Sequence, residues 1–125
     1  MNTILLVEDE ADNQLVIEDM FEFDDIGAEL VIVEDAEEAV MKATELQPLL
    51  VIMDIRLPGI SGLDAAEILK KNEATSHIPI WAITAHAMQE DKYKALEAGC
   101  DDYITKPIDA AELAQRLRGF VSAAA

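Results

Sequence analysis

The chain has 125 residues, of which 51% are hydrophobic, and its 26 Asp and Glu outnumber its 9 Lys and Arg for a net charge of -17. This length matches one domain with its own core, and so acidic a surface repels nucleic acid phosphates and anionic lipid headgroups. No apolar run approaches the roughly 20 residues that span a bilayer, and the single cysteine, Cys100, excludes an internal disulfide, so we expect a cytoplasmic protein.

Short apolar runs alternate with amphipathic stretches along the chain. The runs predict five strands, at residues 4–7, 30–33, 49–53, 80–84 and 103–105. Helix signals fall between them: Asp35 and Asp109 each precede a Glu by three residues, as in capping boxes, and Gly99 ends the fourth helix. This alternation predicts a doubly wound α/β fold, a parallel sheet covered by helices on both faces. We expect one domain over residues 1–122 and a disordered tail over 123–125.

Four of the five predicted strands end in a polar group. Glu8 and Asp9 follow the first strand, Asp54 the third and Lys106 the fifth, and Thr84 ends the fourth. The carboxyl ends of parallel strands meet at one edge of a sheet, where ligands bind in open α/β folds. We therefore expect these residues to lie together.

The expected cluster has the chemistry of phosphoryl acceptance. Carboxylates held together repel one another unless a cation compensates them, and hard oxygen ligands suit Mg²⁺. A carboxylate such as Asp54 can attack phosphorus and form an aspartyl-phosphate. Lys106 and Thr84 would then offer a cation and a hydroxyl group to the phosphoryl oxygens. The sequence thus predicts Mg²⁺-dependent phosphoryl acceptance by Asp54.

Four segments of the chain resemble the signature blocks of response-regulator receiver domains of two-component systems. They are residues 7–9, 53–62, 83–85 and 101–107, which read VED, MDIRLPGISG, ITA and DDYITKP. The blocks have the order and spacing of that family over essentially the whole chain. The resemblance implies a flavodoxin-like fold, in which a five-stranded parallel sheet of order 2-1-3-4-5 is flanked by five helices.

The resemblance also implies a role for each site residue. Asp54 would take a phosphoryl group from a phosphohistidine of a sensor histidine kinase or a phosphotransfer protein. Asp9 would bind Mg²⁺ directly and Glu8 through water, with Asp54 and the backbone carbonyl of Ile55 as further ligands. Lys106 would pair with a phosphoryl oxygen, and the peptide bond that follows Lys106 is expected to be cis.

The resemblance implies roles for two further pairs of residues, one in the conformational switch and one in the rate of phosphoryl hydrolysis. Thr84 would move to hydrogen-bond the phosphoryl group, and Tyr103 would swing inward behind it. Arg56 and His86 would flank the phosphoryl group and tune its hydrolysis. Plainer interpretations remain open, since Tyr103 could be a strand residue packed against a helix and Arg56 a solvent-facing loop residue.

Three other functions compete with a phosphorylation switch. A haloacid-dehalogenase-like phosphohydrolase needs its nucleophile on the first strand and a second Asp two residues later, whereas the residue two after Asp54 is Arg56. A flavin-binding flavodoxin relative needs a hydroxyl- and glycine-rich phosphate loop after the first strand, where the chain has Glu8, Asp9 and Glu10. A phosphorylation-independent interaction scaffold is opposed only by the presence of all the acceptor groups.

The resemblance fits both stand-alone regulators and receivers from hybrid kinases. A start at Met1, directly before the first strand, favours a stand-alone regulator. We expect its output to be protein binding by the face of the fourth helix, fifth strand and fifth helix, or onward phosphotransfer. Direct contacts with nucleic acid or membrane are not expected, because the net charge is so negative.

Overall fold

Strands and helices alternate strictly along the chain. The computed structural model describes residues 2–57, 59–84 and 89–124. Within that part, five strands and five helices follow in the order β1 (Thr3–Val7), α1 (Ala11–Phe23), β2 (Glu29–Val33), α2 (Ala36–Leu46), β3 (Leu50–Asp54), α3 (Gly62–Lys71), β4 (Ile80–Thr84), α4 (Gln89–Glu97), β5 (Asp102–Thr105) and α5 (Ala110–Ala124).

The five strands form one parallel sheet in the order β2-β1-β3-β4-β5. The doubly wound fold and its strand order, expected from the sequence, are therefore confirmed. The order reverses between β1 and β3, and a crevice opens at such a point beyond the carboxyl ends of the strands. Glu8 and Asp54 lie on the two sides of this reversal.

The sheet separates two layers of core because successive side chains of a strand point to opposite faces. Leu5 and Val7 of β1 pack with the buried alanines of α2, α3 and α4. Ile4 and Leu6 pack on the other face with apolar residues of α1 and α5. All five residues of β3 and of β4 are buried, as a strand covered on both faces must be. Asp54 and Thr84 are therefore the last residues of strands that are covered on both faces.

The helix ends follow their sequence signals. Asp35 Oδ1 accepts the Glu38 N–H at 2.7 Å, and Asp109 Oδ1 accepts the Glu112 N–H at 3.1 Å, so both predicted caps are confirmed. Gly99 follows α4 at a φ of 101°, the left-handed conformation that glycine adopts at little cost.

Several predicted boundaries need correction. β3 begins at Leu50 and includes Asp54, which we had expected to follow the strand. β5 begins at Asp102, one residue before the predicted strand, and Arg116 Nη2 holds the Asp102 carboxylate at 2.7 Å. α5 continues to Ala124, so it includes two of the three residues predicted to form a disordered tail. α4 spans Gln89–Glu97, and the residues directly before it, 85–88, lie outside the described part.

In the described part of the chain, no helix has the length and apolar character needed to cross a membrane.

Candidate functional site

The carboxyl ends of four neighbouring strands bring the predicted polar residues to one edge of the sheet. In the register of the sheet, Val7 of β1 lies beside Met53 of β3, and Asp54 lies beside Ile83 of β4. Glu8 therefore follows β1 next to the position at which Asp54 ends β3. The strand order reverses between β1 and β3, and in open α/β folds ligands bind at such a point.

Asp54 is a buried carboxylate with a partner for each oxygen. The residue is 2% exposed. Its Oδ1 accepts the backbone N–H of Arg56 at 2.9 Å, and its Oδ2 accepts a hydrogen bond from Lys106 Nζ at 2.8 Å. These contacts orient the carboxylate and compensate its charge. The prediction that Asp54 and Lys106 lie together is confirmed by this geometry.

The ammonium group of Lys106 is shared among three carboxylates. Its Nζ lies 2.8 Å from Asp54 Oδ2, 3.3 Å from Glu10 Oε1 and 3.6 Å from Glu8 Oε1. Burial lowers the pKa of Lys106, but the hydrogen bond to Asp54 and the charges of Asp54 and Glu8 outweigh burial, and the net result is a raised pKa. Lys106 therefore stays protonated and acts as the counter-cation of the cluster. Its bond to Pro107 is cis, as predicted.

Glu8 is the most deeply buried carboxylate of the site, at 0% exposure. Its Oε2 accepts the Glu10 N–H at 3.2 Å, whereas its Oε1 has no hydrogen-bond partner among the described residues. Burial is the main cause that raises the pKa of Glu8 from 4.5 to about 7, and the charge of Asp54 raises it further, while the Glu10 amide and the charge of Lys106 oppose the rise. Lys106 alone therefore does not balance the negative charge of an ionised Glu8, and a second cation would favour that charged form.

The acidic residues form a group that suits a divalent cation. Ligand atoms of Glu8, Asp9, Glu10 and Asp54 all lie within 4.8 Å of one another. The carboxylates are hard oxygen ligands, and within the described part of the chain no donor hydrogen-bonds the buried Glu8 Oε1. Glu8 and Asp54 are buried while Asp9 and Glu10 are exposed, which leaves room for the water ligands that Mg²⁺ retains. The donor set therefore fits Mg²⁺.

The backbone of Ile55 does not support its predicted role as a metal ligand. The Arg56 N–H points at Asp54 Oδ1, and in a planar trans peptide the Ile55 carbonyl points in the opposite direction. That carbonyl instead accepts the Gly62 N–H at 3.2 Å. It therefore faces the start of α3 rather than the carboxylates.

Gly62 sets how closely α3 approaches the end of β3. A Cβ atom at this position would overlap the backbone oxygen of Asp54 and would lie 2.8 Å from Ile55 Cα. Only a residue without a side chain allows the first turn of α3 to pack directly on this backbone. Ser61 caps the helix, since its Oγ accepts the Asp64 N–H at 3.2 Å. The position of Asp54 thus depends on the start of α3.

The predicted switch residues lie on the α4 side of the sheet. Thr84 is fully buried at the end of β4, and its carbonyl accepts the Lys106 N–H at 2.8 Å. The half-buried Tyr103 packs against the same core layer as Ala82, and Lys92 Nζ of α4 lies 4.6 Å from the centre of its ring. Tyr103 is therefore placed beside α4 and Thr84 beside Lys106, and their roles as switches stay predictions.

Of the two residues predicted to tune hydrolysis, Arg56 lies in the described part of the chain and His86 does not. Arg56 is exposed on the loop after β3, and its backbone N–H contacts Asp54. His86 lies outside the described residues. Its effect on hydrolysis, like that of Arg56, stays a prediction.

Glu10 is a site residue that sequence reasoning missed. Its carboxylate joins the acidic group and contacts Lys106 at 3.3 Å. Its position directly after Glu8 and Asp9 was the available signal. That signal was used only as an argument against a phosphate-binding loop.

Comparison with known proteins identifies the family. The model of the response regulator receiver domain matches residues 4–118. The chain therefore belongs to the response regulator receiver domain family. Receiver domains are signalling modules of two-component systems, work with sensor histidine kinases and bind Mg²⁺ in an acidic pocket.

Three relatives illustrate the contexts in which such domains occur. The chain is 42% identical over 115 residues to the sensor protein GacS of Pseudomonas syringae pv. syringae, with 90% of this chain and 12% of that protein covered. It is 34% identical to the polar-differentiation response regulator DivK of Brucella ovis, with 95% of both chains covered. It is 37% identical to the receiver domain of the sensor histidine kinase PA1611 of Pseudomonas aeruginosa PAO1, with 97% of this chain and 98% of that chain covered and a TM-score of 0.85. The structure of the PA1611 domain has a magnesium ion coordinated in the active site cleft.

The relatives differ greatly in length. Among the curated relatives that are 39% to 42% identical, the chain spans 12% to 50% of the relative's length. DivK of Brucella ovis is instead spanned almost entirely, at 95%.

Proposed function

We propose that this chain is the phosphoacceptor module of a two-component system or phosphorelay, and that Asp54 receives the phosphoryl group. The observation that carries the proposal is the buried Asp54 carboxylate, which is held by Lys106 Nζ at 2.8 Å among three further acidic residues. A buried carboxylate beside a fixed ammonium group has both a nucleophilic oxygen and a cation for the incoming phosphoryl oxygens.

The transfer exchanges one bond to phosphorus for another. A carboxylate oxygen of Asp54 forms the new P–O bond, and the P–N bond to the donor histidine breaks. The electron pair of that bond returns to the imidazole, which takes up a proton from solvent and leaves as neutral histidine. Lys106 can follow the phosphoryl oxygens, because its Nζ already lies beside the attacking carboxylate.

Glu8, Asp9 and Asp54 are the residues that we propose to hold Mg²⁺, with Glu8 acting through water. When bound, the cation neutralises charge on the phosphoryl oxygens during transfer. The close packing of Gly62 on the backbone of Asp54 and Ile55 would keep the Asp54 carboxylate in place for this role. The Ile55 carbonyl is left out of this ligand set, since it faces Gly62.

Phosphorylation would act on the rest of the molecule through Thr84 and Tyr103. Thr84 would hydrogen-bond the phosphoryl group, and Tyr103 would then turn inward from its place beside Lys92. A ligand shifts such a pair of conformations only as far as it binds them differently. The altered face would comprise α4, β5 and α5, and it would bind a downstream protein unless the phosphoryl group is passed on.

We propose the remaining features of the function on the same basis. The donor is a sensor histidine kinase or a histidine phosphotransfer protein, and the compartment is the cytoplasm, as the single cysteine indicates. The chain turns over no external substrate beyond taking up its own phosphoryl group and slowly losing it to water. Arg56 and His86 set the rate of that loss. The phosphorylation-independent scaffold is the alternative.

Intact mass after incubation with Mg²⁺ and phosphoramidate tests the proposal. We expect one phosphoryl adduct on the wild-type protein, and none after Asp54→Asn or after chelation of the cation. Asp64→Asn is the matched control, since Asp64 is an exposed acid in the first turn of α3. An adduct that persists in Asp54→Asn, or a wild-type protein without adduct, would contradict the proposal and favour the scaffold.

A further inference from the structure

Glu10 is an additional carboxylate beside the proposed phosphoacceptor. It lies between β1 and α1, directly after the two acidic residues that the resemblance assigns to the metal. Its side chain is 61% exposed, yet its Oε1 reaches Lys106 Nζ at 3.3 Å, across 96 residues of sequence. An exposed Glu that turns back to the site loses rotamer freedom, so the contact with Lys106 must compensate for that loss.

The contact with Glu10 engages the same ammonium group that a phosphoryl oxygen would need. Lys106 Nζ hydrogen-bonds Asp54 at 2.8 Å and Glu10 at 3.3 Å. An ammonium group has three N–H donors. Two are directed at these carboxylates, and Glu8 Oε1 lies 3.6 Å from the same nitrogen. A phosphoryl oxygen on Asp54 would therefore have to share the Lys106 ammonium group with Glu10.

The same carboxylate adds negative charge where a cation would bind. Ligand atoms of Glu10 and of the other three acids lie within 4.8 Å of one another. The fully buried Glu8 Oε1 has no hydrogen-bond donor among the described residues, which independently points to a cation at this place. A single Lys106 charge does not balance four acidic residues, and Glu10 increases the imbalance that a divalent cation would relieve.

We propose that Glu10 is a positioning residue with two opposed effects, strengthening the binding of a divalent cation to the acidic group and competing with the phosphoryl group for Lys106. The competition for Lys106 rests on the proposed function, whereas the effect on cation binding does not. Glu10 thereby makes the site bind metal more tightly and accept a phosphoryl group less readily than a site with a neutral residue at this position.

The size of each effect follows from the distances. Ligand atoms of the acidic group lie within 4.8 Å of one another, and removal of one negative charge from a partly exposed group of this size should weaken divalent-cation binding about threefold to tenfold once solvent and salt screen it. Loss of the competing hydrogen bond to Lys106 has a comparable value of about threefold to tenfold for the phosphoryl group.

Glu10→Gln, with Asp12→Asn as the control, separates the two effects. Asp12 is an exposed acid in the first turn of α1, close in sequence to Glu10 but outside the acidic group. Isothermal titration of the cation-free protein with Mg²⁺ alone measures the first effect. The initial rate of adduct formation from phosphoramidate, followed by intact mass at saturating Mg²⁺, measures the second. In that reaction the Asp54 oxygen bonds phosphorus, the P–N bond breaks, and the nitrogen leaves with its protons as ammonia.

We expect Glu10→Gln to weaken Mg²⁺ binding and to accelerate adduct formation, each about threefold to tenfold, with Asp12→Asn changing either value less than twofold. A general structural defect would weaken both properties together, and that outcome overturns the proposal. Unchanged values, or equal changes in the Asp12 control, overturn it as well. A wild-type protein that forms no adduct overturns the proposed function and the phosphoryl half of this inference, while the Mg²⁺ titration still decides the cation half.

Discussion

Lys106 Nζ lies 2.8 Å from Asp54 Oδ2, although 52 residues separate them and β4 lies between their strands. Both groups are largely removed from water, with 17% and 3% of their side chains exposed. At this depth each charge needs the other, because an ion that loses its partner in a partly buried site retains its desolvation cost. The stability of the free protein is therefore tied to the same contact that we propose to serve phosphoryl transfer.

Replacement of Lys106 by Met should destabilise the protein at pH 8. The change keeps the aliphatic stem but leaves Asp54 and Glu8 without their counter-cation, at a cost of about 1–3 kcal/mol in the free energy of unfolding. Urea denaturation measures it. Lys42→Met is the matched control, because the 3.9 Å contact of Lys42 with Glu45 lies at the surface and should contribute less than about 0.5 kcal/mol. Equal losses in the two variants would show that Lys106 stabilises nothing at the site.

The raised pKa of Glu8 predicts the pH dependence of stability in the cation-free protein. Burial raises the pKa of Glu8 from 4.5 to about 7, so the folded chain holds a proton between these values that the unfolded chain releases. The free energy of unfolding should therefore fall as pH rises from about 4.5 to 7, by up to roughly 3 kcal/mol.

Glu8→Gln isolates this dependence. The amide cannot ionise, so the variant should lose the contribution of Glu8 to the slope and exceed the wild type in stability above pH 7. Denaturant titrations from pH 4.5 to 8 in the presence of a chelator measure the difference. Glu37→Gln removes an exposed acid in the first turn of α2 and should retain the wild-type slope. Identical slopes in all three proteins would contradict the assignment to Glu8.

Substitution of Gly62 should damage both stability and phosphoryl acceptance. A methyl group there overlaps the backbone of Asp54 and Ile55, and the required shift should cost about 1–3 kcal/mol and slow adduct formation. Gly119→Ala is the control, since nothing lies within 4 Å of its Cβ position in α5 and helix propensity should add about 0.5–1 kcal/mol of stability. Adduct formation at the wild-type rate in Gly62→Ala would contradict the claim that α3 positions Asp54.

A second polar contact should affect stability alone. Asp101 Oδ2 accepts the Ile80 N–H at 2.8 Å and a hydrogen bond from Lys70 Nζ at 3.2 Å, at the end of β4 opposite to Thr84. Asp101→Ala should lower the free energy of unfolding by about 1–3 kcal/mol, because the Ile80 N–H loses its acceptor. The rate of adduct formation, measured well below the unfolding transition, should stay unchanged. Asp25→Ala, at an exposed loop position, should alter neither; a slower rate in Asp101→Ala would link this contact to the site.

Elements with strong patterns were predicted well from the sequence. The apolar run of β3 is buried at every residue, and the predicted caps at Asp35 and Asp109 form. These features depend on side chains close in sequence, so local chemistry decides them. The boundary at β5 was placed too late, because Asp102 is a poor strand former on its own and enters the strand beside Arg116, 14 residues away.

Features that depend on backbone direction escaped prediction. The Ile55 carbonyl was expected to face the metal, whereas the hydrogen bond from the Arg56 N–H to Asp54 turns the peptide so that this carbonyl meets Gly62. One peptide plane decides between the two directions, and no side-chain pattern reports it.

The sequence by itself determined which groups would meet. Strict alternation of strands and helices requires a parallel sheet, and the carboxyl ends of parallel strands share an edge, so Glu8, Asp9, Asp54 and Lys106 had to lie near one another. Only the tertiary structure decided how they share charge. Whether Lys106 contacts Glu10 as well as Asp54 depends on differences of about 1 Å in the placement of loops that are far apart in sequence. The energy of a contact between two charges depends on the distance between them, so such small differences decide how the charge of Lys106 is shared.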